Sequence, residues 1–191
     1  MFEIIIYFFA TVVLAIWLML PAYIANSMAV VFGGGTPMDL GMKLPDGKRV
    51  LGEGKTLRGL VGGTACGIAA GLLQIYVAPT FGIQYLPIII QYVPTITAII
   101  TLSFGALLGD IVKSFFKRRI GFVRGAELPL IDQLDFVAGA WILTYIFDPV
   151  WFTRYFISSP WIIVTVLVLT PILHRLTNIF GYNIKLKKEP W

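Results

Sequence analysis

Trp161-Ile162-Ile163-Val164-Thr165-Val166-Leu167-Val168-Leu169-Thr170-Pro171-Ile172-Leu173 contains no charged residue, and the apolar block around it runs from about 159 to 180. That is the length of helix, about 20 residues, needed to cross a hydrocarbon core. Working outward, further blocks of this kind lie near 2–29, 57–79, 86–116 and 131–150. The 191 residues are 58% hydrophobic and 13% charged, whereas a soluble domain carries roughly 25% charged residues. A soluble fold of this size has no interior large enough to hide so much apolar surface. The expectation is an all-α, polytopic membrane protein with about five transmembrane helices in a single transmembrane domain, residues 1–191. Cytoplasmic loops would lie near 31–56 and 117–130, and a polar cavity would face the cytoplasm. Pro87 and Pro94 interrupt the third block, so its spanning helix is expected to begin near Pro94, leaving 80–93 interfacial or re-entrant. The stretch Phe2 to Leu20 carries Glu3 and no basic residue, unlike the n-region of a signal peptide, and is read as a retained helix. The single Cys66 excludes an intrachain disulfide and reads as a buried, inert thiol.

Orientation follows from the basic residues, which are enriched in cytoplasmic loops near helix ends. Lys43, Lys48, Arg49, Lys55 and Arg58 fall in the first connection, and Lys113, Lys117, Arg118, Arg119 and Arg124 around the third helix end. Arg175, Lys185, Lys187 and Lys188 end the chain. Five crossings put fourteen of the fifteen basic residues on one face, with only Arg154 opposite. The expected topology in the cell membrane is therefore an outside N-terminus and a cytoplasmic C-terminus. Gly59, Gly63, Gly67 and Gly71 at four-residue spacing, and Gly105 with Gly109, read as surfaces for close helix packing in lipid.

The chemistry gathers at that basic face. In Gly109-Asp110-Ile111-Val112-Lys113-Ser114-Phe115-Phe116-Lys117-Arg118-Arg119, Asp110, Lys113, Ser114 and Lys117 share one helical stripe. An Asp at the membrane boundary is costly and tends to face a polar cavity or a metal. Lys117, Arg118 and Arg119 read equally as boundary residues meeting lipid headgroups. In Glu127-Leu128-Pro129-Leu130-Ile131-Asp132-Gln133-Leu134-Asp135-Phe136, Asp132 and Asp135 lie on one face near a helix N-terminus, where the dipole favours carboxylates. Asp132 alone also suits an N-cap. Asp110, Asp132 and Asp135 on two consecutive antiparallel helices suggest a hard-cation site of the Mg2+ type, completed by waters and substrate phosphates. Lys113, Ser114 and Lys117 would then meet the phosphates.

Gly109-Asp110-x-x-Lys113-Ser114-x-x-Lys117-Arg118, followed by Pro129-x-x-Asp132-Gln133-x-Asp135, resembles the signature of the CDP-diglyceride synthase (phosphatidate cytidylyltransferase) family. It is most similar to the archaeal branch, CDP-archaeol synthase. Other members typically have Glu at the position of Lys113, Lys-Asp near Val123-Arg124-Gly125, His-Gly-Gly at Glu127-Leu128-Pro129, and Arg at Gln133. Those departures favour the archaeal branch. The resemblance is tight over Gly109 to Phe136 and looser over Pro21 to Gly63, where Asn26 and Gly54-Lys55-Thr56-Leu57-Arg58-Gly59 take part. It implies a nucleotidyltransferase of phospholipid biosynthesis that joins CTP to the archaeal lipid 2,3-di-O-geranylgeranylglyceryl phosphate, giving CDP-archaeol (unsaturated) and pyrophosphate. Under that resemblance Lys113, Lys117 and Arg118 are the catalytic residues, and Asn26, Lys55, Thr56, Ser114, Arg119 and Arg124 contact substrate. Asp110, Asp132 and Asp135 would hold Mg2+. The partners are then CTP, the lipid phosphate and membrane lipid, with no nucleic acid, and the sequence leaves the oligomeric state open.

Other readings are weighed on the same residues. Gly52-Glu53-Gly54-Lys55-Thr56 is not a P-loop, because Arg49 stands where its first glycine should and no strand precedes it. It is either a basic loop over a nucleotide or a solvated connection. Asn26 suits a partner helix or a nucleotide base and ribose. His174, beside Arg175, reads as an interfacial residue in preference to a general base. A cation channel or transporter using the intramembrane carboxylates is the alternative function. It would place polar residues at mid-bilayer on several helices, whereas here they gather at one face. The sequence lacks the paired-Asp prenyl diphosphate motif and the Asp-Gly-x-x-Ala-Arg pattern of CDP-alcohol phosphotransferases.

Overall fold

The computed structural model describes residues 2–84, 92–122 and 128–185. These form helices α1 (Phe2–Val31), α2 (Leu57–Gln84), α3 (Ile96–Arg119) and α4 (Ile131–Phe147). A short α5 (Pro149–Phe152), a π-helical turn (Thr153–Ile157) and α6 (Pro160–Asn183) follow. Among the described residues the only extended pairings are two isolated bridges, Pro37 with Thr56 and Lys43 with Arg49.

The spans Glu3–Val31, Leu57–Pro79, Ile96–Arg119 and Pro160–Asn183 are long and apolar enough to cross a membrane. The protein is thus a multi-pass, all-helical membrane protein. Residues 85–91, within the expected 80–93 segment, lie outside the described residues. The third helix begins at Ile96, just after Pro94, with the Thr95 hydroxyl accepting the Ala98 N–H at 3.0 Å as its N-cap. The fourth block departs from the expected 131–150. Helix α4 stops at Phe147 and has 17 residues, about 26 Å at ~1.5 Å per residue. Asp148 leaves helical geometry at φ −141° and ψ 64°, and its carboxylate accepts the Trp151 N–H at 3.2 Å, so it caps α5 with Pro149 in the first turn. A carboxylate that caps a new helix ends the old one.

The glycines act as the spacing suggests. A Cβ at Gly63 or Gly67 would stand 2.6 Å from the carbonyl oxygens of Ala25 and Pro21, so α2 lies backbone to backbone on α1. On α3, a Cβ at Gly105 would come within 2.7 Å of the Gly139 carbonyl of α4, and one at Gly109 would collide with the Asp135 carbonyl. Gly139, which the spacing argument did not single out, completes this seam. The core is built of Leu14, Leu18, Met19 and Ala22 with Leu102, Ala106, Phe136, Val137, Phe156 and Val166. Large apolar side chains such as Ile142, Ile146, Val168 and Ile172 are exposed on the outside, as a lipid-facing surface requires. Polar groups inside the bundle pair across helices: Tyr23 with Thr170 at 2.7 Å, Thr101 with Thr144 at 2.9 Å, and the Gln74 amide to the Trp17 carbonyl at 2.7 Å. Lipid offers no alternative partner for them.

Candidate functional site

Where the ends of α3 and α4 meet the connection between α1 and α2, a cavity of about 1560 Å³ opens. The glycine seam explains its position. With no side chain between the two backbones, Asp110 and Lys113 of α3 come against Asp132 and Asp135 of α4. Lys113 Nζ lies 3.1 Å from Asp110 Oδ1, 3.3 Å from Asp132 Oδ1 and 2.6 Å from Asp135 Oδ2. Lys117 Nζ donates to both oxygens of Asp132 at 3.0 and 2.9 Å. Lys55, from the loop, pairs with Asp110 Oδ2. Asp132 also accepts the Leu128 N–H at 2.7 Å, which anchors the segment leading into α4. Leu130, at φ 66°, occupies the N-cap position without a side-chain bond. The N-cap alternative for Asp132 is therefore not what this carboxylate does.

The loop itself is folded around one buried acid. Asp39, 2% exposed, accepts the N–H groups of Gly41 (3.1 Å), Leu51 (3.1 Å) and Gly52 (2.8 Å) and is clamped by Arg49 at 2.6 and 3.2 Å. The Arg49 guanidinium, aided by the three backbone donors, holds the Asp39 carboxyl well below the usual carboxylate range despite its burial. Arg119 reaches Asp46 at 2.6 Å and the Lys48 carbonyl at 3.2 Å, while Lys48 Nζ donates to the Arg119 carbonyl at 2.9 Å. These bonds fasten the loop to the end of α3, so that Lys55 and Thr56 arrive at the cavity. Thr56 is buried and its hydroxyl accepts the Gly59 N–H at 3.2 Å, capping α2.

Of the residues singled out from sequence, Asn26, Lys55, Thr56, Asp110, Lys113, Ser114, Lys117, Arg118, Asp132 and Asp135 all line the cavity. Arg119 does not; its guanidinium serves the loop and lies over the Phe115 ring at 5.4 Å. Arg124 falls outside the described residues. His174, expected at the interface, stands in the cavity wall, its ring stacked on Phe136 with centroids 6.5 Å apart and its Nδ1 3.1 Å from the Asn178 amide. Sequence reading missed Asn178, although it follows His174 by one helical turn near the end of the last apolar block. Arg49 and Glu53, which the sequence placed in the basic, glycine-rich connection without assigning them to the site, also line the cavity.

The chain as a whole is similar to known proteins in sequence and in fold. The profile of the CDP-archaeol synthase family (CarS-like) matches residues 7–191. A CDP-archaeol synthase of Methanosarcina mazei is 49% identical over 177 residues, covering 91% of this chain and 100% of that protein. The Methanospirillum hungatei CDP-archaeol synthase is 51% identical over 173 residues with the same coverage. A solved structure of an intramembrane enzyme for archaeal membrane lipid biosynthesis is 37% identical, with a TM-score of 0.65 over 86% of this chain and 92% of that one. With the match running through all of its helices, the chain belongs to the CDP-archaeol synthase family of intramembrane enzymes.

Proposed function

We propose that this enzyme transfers the cytidylyl group of CTP to 2,3-di-O-geranylgeranylglyceryl phosphate, giving unsaturated CDP-archaeol and pyrophosphate. The observation that carries the reading is the gathering of Asp110, Lys113, Ser114, Lys117 and Asp132 in one cavity at the basic end of the bundle. A phosphate oxygen of the lipid would attack the α-phosphorus of CTP, forming one P–O bond as the bond to the β-phosphate breaks and pyrophosphate departs. A phosphate monoester is already anionic near pH 7, so no strong base is required and the barrier is mainly repulsion between anions. Lys113, Lys117 and Arg118 would lower that repulsion and stabilise the leaving pyrophosphate. Ser114 would orient the triphosphate, with Lys55 and Thr56 approaching from the loop and Asn26 from α1.

The carboxylates suit a hard cation, since all three are oxygen donors that converge on one point. That point is filled by Lys113 Nζ, within 3.3 Å of each. Among the described residues no group of three acids, imidazoles or thiols stands ready-made for a metal. Asp110, Asp132 and Asp135 would hold Mg2+ once Lys113 withdraws toward phosphate. When bound, Mg2+ supplies charge neutralisation on the phosphate oxygens. The ion-path alternative finds no support in the placement of Gln74, Thr101 and Thr144, which pair inside the bundle and do not line the cavity.

With α4 taken as a fifth crossing beside the four long apolar helices, the charge asymmetry supports a cytoplasmic cavity and C-terminus and an N-terminus outside the cell membrane. Purified protein supplied with each nucleoside triphosphate and the lipid phosphate should release pyrophosphate with CTP. Absence of release with CTP, or equal release without the lipid, would overturn the assignment.

A further inference from the structure

We propose that Lys113 bars the carboxylate cluster to a divalent cation until a nucleoside triphosphate draws the lysines away, so that metal and nucleotide load together. The inference rests on Asp110, Asp132 and Asp135 being the cation's ligands, and it concerns the order of occupancy rather than the reaction. The first ground is space. Nζ of Lys113 lies 2.6 to 3.3 Å from an oxygen of all three acids, whereas Mg2+ sits at about 2.0–2.1 Å from its ligands. An ion bridging those oxygens would overlap the ammonium, so the two exclude each other.

The second ground is charge. Every carboxylate has a cationic partner: Asp110 has Lys55 and Lys113, Asp132 has Lys113 and Lys117, and Asp135 has Lys113. The remaining Asp135 oxygen accepts its neighbour's N–H, that of Phe136, at 2.7 Å. Three acids and three ammoniums leave a formally neutral cluster, and a divalent ion arriving alone would add an uncompensated charge in a partly desolvated cavity. A triphosphate reverses this balance, because it brings more negative charge than the ion brings positive. It also offers the ammoniums new partners. Lysine suits the exchange, being a compact charge on a flexible stem that can swing between oxygens without moving the helix. Coupling of this kind is reciprocal, so each ligand tightens the other.

The test measures metal occupancy. Mn2+ would be titrated into the full-length detergent-solubilised protein and free Mn2+ read by electron paramagnetic resonance. The arms are wild type, Lys113→Met and the exposed-loop control Lys43→Met, each with and without the α,β-methylene analogue of CTP, corrected for Mn2+ held by the analogue alone. Wild type and Lys43→Met should bind Mn2+ weakly alone and at least about tenfold more tightly with the analogue. Lys113→Met should bind Mn2+ alone at least about tenfold more tightly than wild type, and the analogue should add less. Equal metal affinity in wild type and Lys113→Met, or wild-type affinity unchanged by the analogue, would overturn the proposal while leaving the metal assignment standing. No Mn2+ uptake under any condition would overturn both, and pyrophosphate release from CTP would still report separately on the reaction.

Discussion

Asp110, Asp132 and Asp135 each have a lysine partner, so an Asp→Asn change removes both a cation ligand and half of an ion pair. The two effects separate experimentally. As ligands, each asparagine variant should lose about a thousandfold or more in turnover per folded molecule, at ~1.4 kcal/mol per tenfold. Loss of an ion pair alone would lower thermal stability and leave turnover that tracks the folded fraction. These acids were legible in the sequence because Asp132 and Asp135 stand three residues apart and Asp110 shares a helical stripe with Lys113 and Lys117, all at a membrane boundary where an isolated charge is expensive. Asp39 was not, because its partners Arg49, Leu51 and Gly52 lie 10, 12 and 13 residues on and no local pattern announces them. Its depressed pKa has a definite sign. The loop contribution is fully present above the unfolded Asp value of about 3.9 and is lost only as pH falls through the lower folded value. Protection of the Leu51 and Gly52 amides against hydrogen exchange should therefore persist to below pH 4, and Asp39→Asn should lose it at pH 7.

Helices α1, α2, α3 and α6 emerge from hydropathy because each contains a long apolar stretch, and the starts of α2, α3 and α6 are marked by the caps Thr56 and Thr95 and by Pro160 in the first turn. The fourth block begins at Ile131 as its composition suggests, but composition alone does not reveal the corner that ends it at Phe147. Asp148 looks like one polar residue in an apolar run until its carboxylate is seen to cap α5. The same limit hid Gly139, a lone glycine whose value lies in what faces it. A Cβ there would stand 2.6 Å from the Gly109 backbone. Gly139→Ala should consequently destabilise the protein by about 1–3 kcal/mol, although alanine is the better helix former by roughly 0.5–1 kcal/mol. It should also depress activity in the molecules that remain folded, by separating Asp110 from Asp135. A thermal melt and a turnover assay on Gly139→Ala check both parts, and unchanged stability would show that the seam is looser than drawn.

For the molecule as a whole, the distribution of charge predicts which compartment each loop meets. In a Cys66→Ser background, a cysteine at Lys48 should resist an impermeant thiol reagent in intact cells, while one at Arg154 should react. Labelling at Lys48 in sealed cells would move the cavity across the membrane. The polar, basic end was readable from sequence because lysines and arginines cluster there; the way the loop folds over it was not, since that depends on Arg119 meeting Asp46 across 73 residues. The pairing of three acids with Lys55, Lys113 and Lys117 has one more consequence. A transmembrane potential acts on a fixed charge with roughly 2.3 kcal/mol per 100 mV of field crossed. The acid–lysine cluster, balanced within itself, offers that voltage no net charge to pull on, so an energised membrane exerts no first-order force on it.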